Sequence, residues 1–262
     1  MNATITTLFR TTDDLTQRYV VRLLCAYHPG GLACPEATLA AGELAGAEDA
    51  GDIAGAEAAY ASLMLSPNGG VLEVPPERAN ATAQFMRDAR GTLRELSCAI
   101  IVVSPCEESQ QRAIGIMNAL SPALEAGQMR SMFVDCPSDA SAEVAFEQVF
   151  HHMREGQSAA PEEQPVLSAC RAFQNAHDHR LDFAALLHGV SDIEAELVEA
   201  RERGGSLKKL RTLARRVMAA RSVIAMVPEY TRAYDLLGLK RLGTEEWQRG
   251  RGVAPGHLAR QD

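Results

Sequence analysis

Ligands of open α/β sheets bind at the carboxyl ends of strands, so the loop after a first strand is where chemistry is sought first. Here that loop and the helix start behind it read Thr11-Thr12-Asp13-Asp14-Leu15-Thr16-Gln17-Arg18. A triphosphate loop needs glycines that let the backbone wrap the phosphates, a lysine against the β and γ oxygens, and a Ser or Thr for Mg²⁺. None of these is in place, and no lysine occurs before Lys208. Asp13 and Asp14 bring negative charge to the helix start, where it suits the helix dipole and opposes phosphate. Two like charges at ~4 Å repel by roughly 1 to 4 kcal/mol, depending on dielectric. The loop reads as a capped helix start.

Other groups offer less. Glu73 ends a short apolar run and has the oxygen donors for Mg²⁺, but a carboxylate capping a strand before Pro75-Pro76 has the same pattern. Cys25-x-x-His28 with Cys34, His151-His152, and His177-Asp178-His179 lack the paired spacing of structural zinc, and read as solvated histidines and separate thiols. No GxSxG elbow is present, and Cys98, Cys106 and Cys136 lie in or after apolar strands, where a thiol is a small core residue. No metal and no cofactor is expected.

The remaining feature is cationic. In residues 206–226, Leu207, Leu210, Leu213, Val217 and Ile224 are expected to form an inward stripe. Lys208, Arg211 and Arg215, at spacings of three and four, share another face, with Lys209 and Arg216 alongside. Such a face is solvated, held by the protein's own acidic body, or used for DNA or an acidic partner.

The elements that must position these groups follow from periodicity. ATITTLF (residues 3–9) is a strand, and residues 13–25 carry Leu15, Tyr19, Val20, Leu23 and Leu24 at helical spacing. Residues 36–65, rich in Ala, Glu and Gly, are expected as two short helices broken near Gly51. A strand at 71–74 precedes a helix at 80–96, with Phe85, Met86, Ala89, Leu93 and Leu96 on one side. The run AIIVVS (99–104) reads as a strand buried on both faces of a parallel sheet, with a return helix at 107–124. A strand at 132–136 and a helix at 142–155 complete the series. Strands alternating with helices predict an α/β, doubly wound, mostly parallel sheet with helices on both faces. A polar linker at 155–165 leads to a wholly helical region: 166–177, 182–188, 193–203, and 206–226 stopped by Pro228. The expected organisation is an α/β domain over 1–157, a helical C-terminal region over 158–241 and a flexible tail over 242–262.

Composition sets the class. Among 262 residues, 46% hydrophobic and 23% charged are ordinary globular values and exclude a disordered or collagen-like chain. The longest apolar run, 99–103, is far short of the ~20 residues of a membrane span, and residues 1–10 lack the pattern of a signal peptide. Six cysteines with no CxxC pair fit reduced thiols in the cytoplasm. Residues 201–262 hold 14 of the 26 basic and 6 of the 34 acidic side chains, net +8, which leaves −16 on residues 1–200. Contact with a polyanion is therefore expected through the C-terminal part alone.

Several stretches resemble a known family. ATITTLF, the loop and YVVRLLCAYH look like the opening of ParA/MinD-like (deviant Walker A) ATPases, in which the loop reads GKGGVGK[ST]. VLEV followed by ANATAQFMRDAR, then CAIIVVSPCEESQQRAIGIMNAL, MFVDCP, FEQVF and RRVMAARSVIAMVPEY, resemble StbB-like plasmid stability proteins, over most of residues 1–240. On that frame Gln17 stands where the family has Lys, Arg18 where it has Ser or Thr, and Glu73 at the Walker B aspartate. The resemblance implies a P-loop NTPase fold with a degenerate phosphate loop (Thr11, Thr12, Asp13, Asp14, Gln17, Arg18) and a degenerate Walker B residue. It implies a pseudo-ATPase serving plasmid maintenance, partition or conjugation through a protein partner, and leaves a homodimer open. The alternatives are a divergent active ATPase of plasmid partition and a DNA-binding accessory protein using Lys208, Lys209, Arg211, Arg215 and Arg216.

Overall fold

A threonine-rich, fully buried strand, β1 (Ile5–Arg10), lies inside the sheet with a neighbour on each side, and α1 (Leu15–Tyr27) returns from it. The computed structural model describes residues 5–27, 48–66, 69–89, 95–125, 127–155, 163–181 and 190–239. The chain continues through α2 (Glu48–Met64), β2 (Gly70–Val74), a 3₁₀ turn (Pro76–Arg78), α3 (Ala79–Asp88), β3 (Leu96–Val103), α4 (Glu107–Leu120) and β4 (Met129–Cys136). Then follow, among the described residues, α5 (Ala142–Ala145), α6 (Glu147–Glu155), β5 (Val166–Ser168), α7 (Ala172–Asp178), α8 (Ser191–Glu202), α9 (Leu207–Ala225) and α10 (Val227–Leu236).

The five strands run in the order β2-β1-β3-β4-β5, every neighbouring pair parallel. Because β3 lies across β1 from β2, the winding reverses between β1 and β3. Side chains alternate between two cores. Leu8, Val71, Cys98, Ile100 and Val102 meet α1, α7, α9 and α10 on one face, while Ile5, Phe9, Leu72, Ala99 and Ile101 meet α2, α3, α4 and α6 on the other. The α/β doubly wound fold with helices on both faces is thus the observed one. No helix among the described residues is long and apolar enough to cross a membrane.

Several expected elements differ. A single helix, α2, runs through Gly51, because Ala59, Tyr60 and Leu63 fix its far end in the core and outweigh the ~1 kcal/mol a helical glycine costs. Residues 36–47 and 182–188 lie outside the described residues. The helix after β2 ends at Asp88, and Leu96 belongs to β3, paired with Ile5. Residues 142–155 form two helices, because Phe146 leaves helical geometry (φ −121°, ψ 37°) to set its ring 4.8 Å from that of Phe133.

The largest correction is β5: residues 166–168, expected as helix, pair with β4, and the Phe133 N–H donates to Pro165 O at 2.9 Å. The fifth strand therefore comes from the region expected to be wholly helical, and α7, α9 and α10 cover one face of the sheet. Pro228, expected only to stop a helix, also starts α10, at a position whose N–H would have no helical partner. Between α8 and α9 the turn uses Gly204 at φ +69° and Gly205, where a Cβ would lie 2.7 Å from Ala200 O.

Candidate functional site

The β1–α1 loop closes on itself through side chains. Asp14 caps α1, its Oδ1 accepting from Gln17 N at 2.7 Å, so the aspartate expected at the helix start does act as a cap. Gln17, one turn into the helix and fully buried, points back into the loop. Its Oε1 accepts from the backbone N–H of Thr11 at 2.9 Å and of Thr12 at 3.2 Å. Its Nε2 donates to Thr11 Oγ1 and to Ser104 Oγ, each at 2.9 Å.

The other hydroxyls complete a ring with one consistent proton direction. Thr11 donates to Val102 O at 2.7 Å, and Ser104 donates to Asp14 Oδ2 at 2.9 Å. Ser109 Oγ accepts from Ser104 N at 2.8 Å, and lies 2.6 Å from Thr11 Oγ1, whose own proton is already given to Val102; Ser109 is therefore the donor in that contact. Thr12 Oγ1 also donates to Asp14, and Arg112 Nη1 to Thr11 O. Two backbone amides that face a phosphate in a ligand-binding loop here face a side-chain amide oxygen.

A second network lies beside it. Strand register places Glu73 opposite Leu8, so Glu73 and Arg10 project on the same face of the sheet, two residues apart along the strands. Arg10 Nε is 2.9 Å from Glu73 Oε1, close enough for an ion pair but not aligned for a hydrogen bond, with side-chain exposures of 2% and 4%. Arg10 Nη1 donates to Asp13 Oδ1 at 2.6 Å, and Arg18 Nε to the same oxygen at 2.9 Å. The Arg18 hydrogen bonds, with help from Arg10, hold the Asp13 carboxyl below the usual value, against some desolvation. The loop residues and Glu73 are thus brought together at the carboxyl ends of β1 and β2, where Arg10 and Arg18 already face carboxylates.

Asp135, at the end of β4, has φ 57°, in the left-handed region that Asp tolerates better than most residues. Burial pushes its carboxyl up, the Asp14 charge adds to this, and a hydrogen bond from Thr16 opposes both. Arg10, Ser104, Ser109, Arg112 and Asp135 were not among the candidates. A charged residue such as Arg10 is rarely buried unless paired, and its partner is 63 positions away in sequence.

On α9 the cations divide. Arg216 pairs with Glu196 at 3.2 Å, and Arg221 with Glu194 at 2.7 Å, both on α8. Lys208, Lys209, Arg211 and Arg215 are exposed, and have no ion pair among the described residues. The inward stripe is Leu213, Val217, Ala220 and Val223. Leu207, expected in it, is 72% exposed, because the first turn of α9 lies beyond the body it packs on further along.

No group of three metal-ligating side chains converges among the described residues. His151 Nε2 lies 3.2 Å from Glu155 Oε1, and His177 Nδ1 lies 3.5 Å from Tyr19 OH. Cys98, Cys106, Cys136 and Cys170 are free thiols, and burial pushes Cys98, Cys136 and Cys170 up. Residues 28 and 34, and the side chain at 25, lie outside the described set. No protein-family model matches the chain, and no curated protein is significantly similar to it.

Proposed function

We propose that this chain is a non-catalytic, StbB/ParA-like protein, a pseudo-ATPase that serves maintenance or conjugative transfer of a plasmid or mobile element by binding a protein partner in the cytoplasm. What carries the reading is Gln17 Oε1 on the amides of Thr11 and Thr12, which fills from within the place a phosphate oxygen would take. Arg10 against Glu73 adds to it, since a carboxylate held by a guanidinium is a poor ligand for Mg²⁺. A loop held by side chains keeps one conformation without nucleotide, so partner binding is constitutive rather than gated.

The test is a loss-and-transfer assay on the encoding replicon, with the gene deleted and then restored as wild type or Arg18→Ala. Deletion lowers stability or transfer, and both versions restore it. A deletion without effect contradicts the plasmid role, and failure of Arg18→Ala alone favours the divergent ATPase.

A second reading is a DNA-binding accessory, favoured by the exposed Lys208, Lys209, Arg211 and Arg215. It requires shifts of unrelated duplexes that weaken steeply with salt, each neutralised phosphate adding ~0.9 to the log-log slope.

A further inference from the structure

The start of α9 carries charge that its own helix dipole disfavours. Lys208 and Lys209 lie in the first turn of α9, the reverse of what that helix end prefers, while the last turn of α8 carries Glu199 and Glu202 beside Arg201. Two lysines placed against local stability point to a use outside the hairpin.

Both outer faces mix charge with apolar surface. On α8, Asp192, Ala195, Glu199 and Glu202 follow at helical spacing, with Val198 beside them 54% exposed. On α9, Leu207, Arg211, Arg215 and Met218 share one stripe with Lys208 alongside, and Leu207 and Met218 are 72% and 71% exposed. The facing sides of the two helices are already closed by Glu196–Arg216 and Glu194–Arg221. Arg203, just past the end of α8, lies 2.5 Å from Glu199 on that same face, an exposed pair of little strength.

A nucleic-acid backbone matches this hairpin poorly: phosphate gains nothing from Leu207 and Met218, and the neighbouring acidic face repels it. A second copy matches in both respects. Its α8 supplies carboxylates for Lys208, Arg211 and Arg215, and Val198 for the apolar ends of the stripe.

We propose that the basic stripe of α9 in one copy docks on the acidic face of α8 in a second copy. Because the two faces are on different helices, the contact is made either twice about a two-fold axis or head to tail. The proposal uses no residue of the β1–α1 loop, so its failure leaves the reading of that loop standing.

The test compares three full-length chains by sedimentation velocity over a concentration series at low salt: wild type, Arg211→Glu/Arg215→Glu, and Glu199→Lys/Glu202→Lys. Wild type associates, and added salt weakens the association. Each variant alone remains monomeric, since its two faces now carry the same sign. An equimolar mixture of the variants associates again, because the acidic stripe of one meets the basic α8 of the other; this rescue also shows that both are folded. A wild type that stays monomeric overturns the proposal, as does a variant that associates alone like wild type. A monomeric wild type that shifts duplex DNA overturns it in favour of nucleic acid.

Discussion

Arg10 and Glu73 face each other across neighbouring strands, Nε 2.9 Å from Oε1, with both side chains almost wholly out of water. Register alone brings them to one face of the sheet, and Asp13 shares the guanidinium from the solvent side. The acidic residue at the Walker B position of the resemblance is therefore half of a buried ion pair. Such a pair contributes less through mutual attraction than through what is left behind when one partner is removed.

Glu73→Ala removes the buried carboxylate facing the buried Arg10 guanidinium, and is expected to lower stability by about 3 to 5 kcal/mol. Asp13→Ala, which removes an exposed carboxylate, is expected to do far less. Urea unfolding of both variants checks this. A Glu73→Ala chain with the wild-type midpoint would show that the pair is dispensable.

Gln17→Ala strips partners from the Thr11 and Thr12 amides and from the Thr11 and Ser104 hydroxyls. The expected loss is about 1 to 3 kcal/mol, the range for buried polar groups left unsatisfied. Amide exchange at Thr11 and Thr12 should accelerate in the variant. Unchanged exchange there would mean that Gln17 does not hold the loop.

The parts that were legible in sequence are those in which one physical signal dominates. Residues 99–103 announce a central strand because both their faces are buried, and no helix tolerates that run as well. Residues 166–168 form only three residues of strand, too few for a period, and are fixed by pairing to β4 rather than by their own pattern. Gly51 and Pro228 mislead in opposite ways, one as a break that packing overrides, the other as a stop that also begins a helix. In the site, Asp14 was legible as a cap because capping is local. The Gln17 ring was not, because Ser104 and Ser109 reach it from the end of β3 and the start of α4.

Two carboxyls set opposite pH trends. The Asp13 carboxyl lies below its ordinary value of 3.8, so the stability it contributes is present above that pH and is lost as pH falls through its folded value. The Asp135 carboxyl lies above 3.8, so the folded state binds more protons, and stability falls as pH rises from 3.8 through the folded value. Asp135→Asn keeps a residue suited to φ 57° and removes the charge facing Asp14. It is expected to be more stable than wild type at neutral pH, with the advantage fading in acid, by urea unfolding across a pH series. A variant less stable at neutral pH would contradict a carboxylate disfavoured by its burial and by the Asp14 charge.

Thiol reactivity should follow exposure. Cys106 is exposed, whereas Cys98 and Cys136 are buried and their thiols are pushed up. Timed alkylation of the folded chain with peptide mapping should label Cys106 well before Cys98 or Cys136. Equal rates at Cys106 and Cys98 would mean that β3 is not shielded.

Titration calorimetry of ATP with Mg²⁺ into the full chain addresses the filled loop most directly. With the Thr11 and Thr12 amides on Gln17 and no lysine before Lys208, the expected result is no binding heat and no hydrolysis. Micromolar binding that is lost in Arg18→Ala would contradict it, placing a nucleotide in the loop that Gln17 is held to fill.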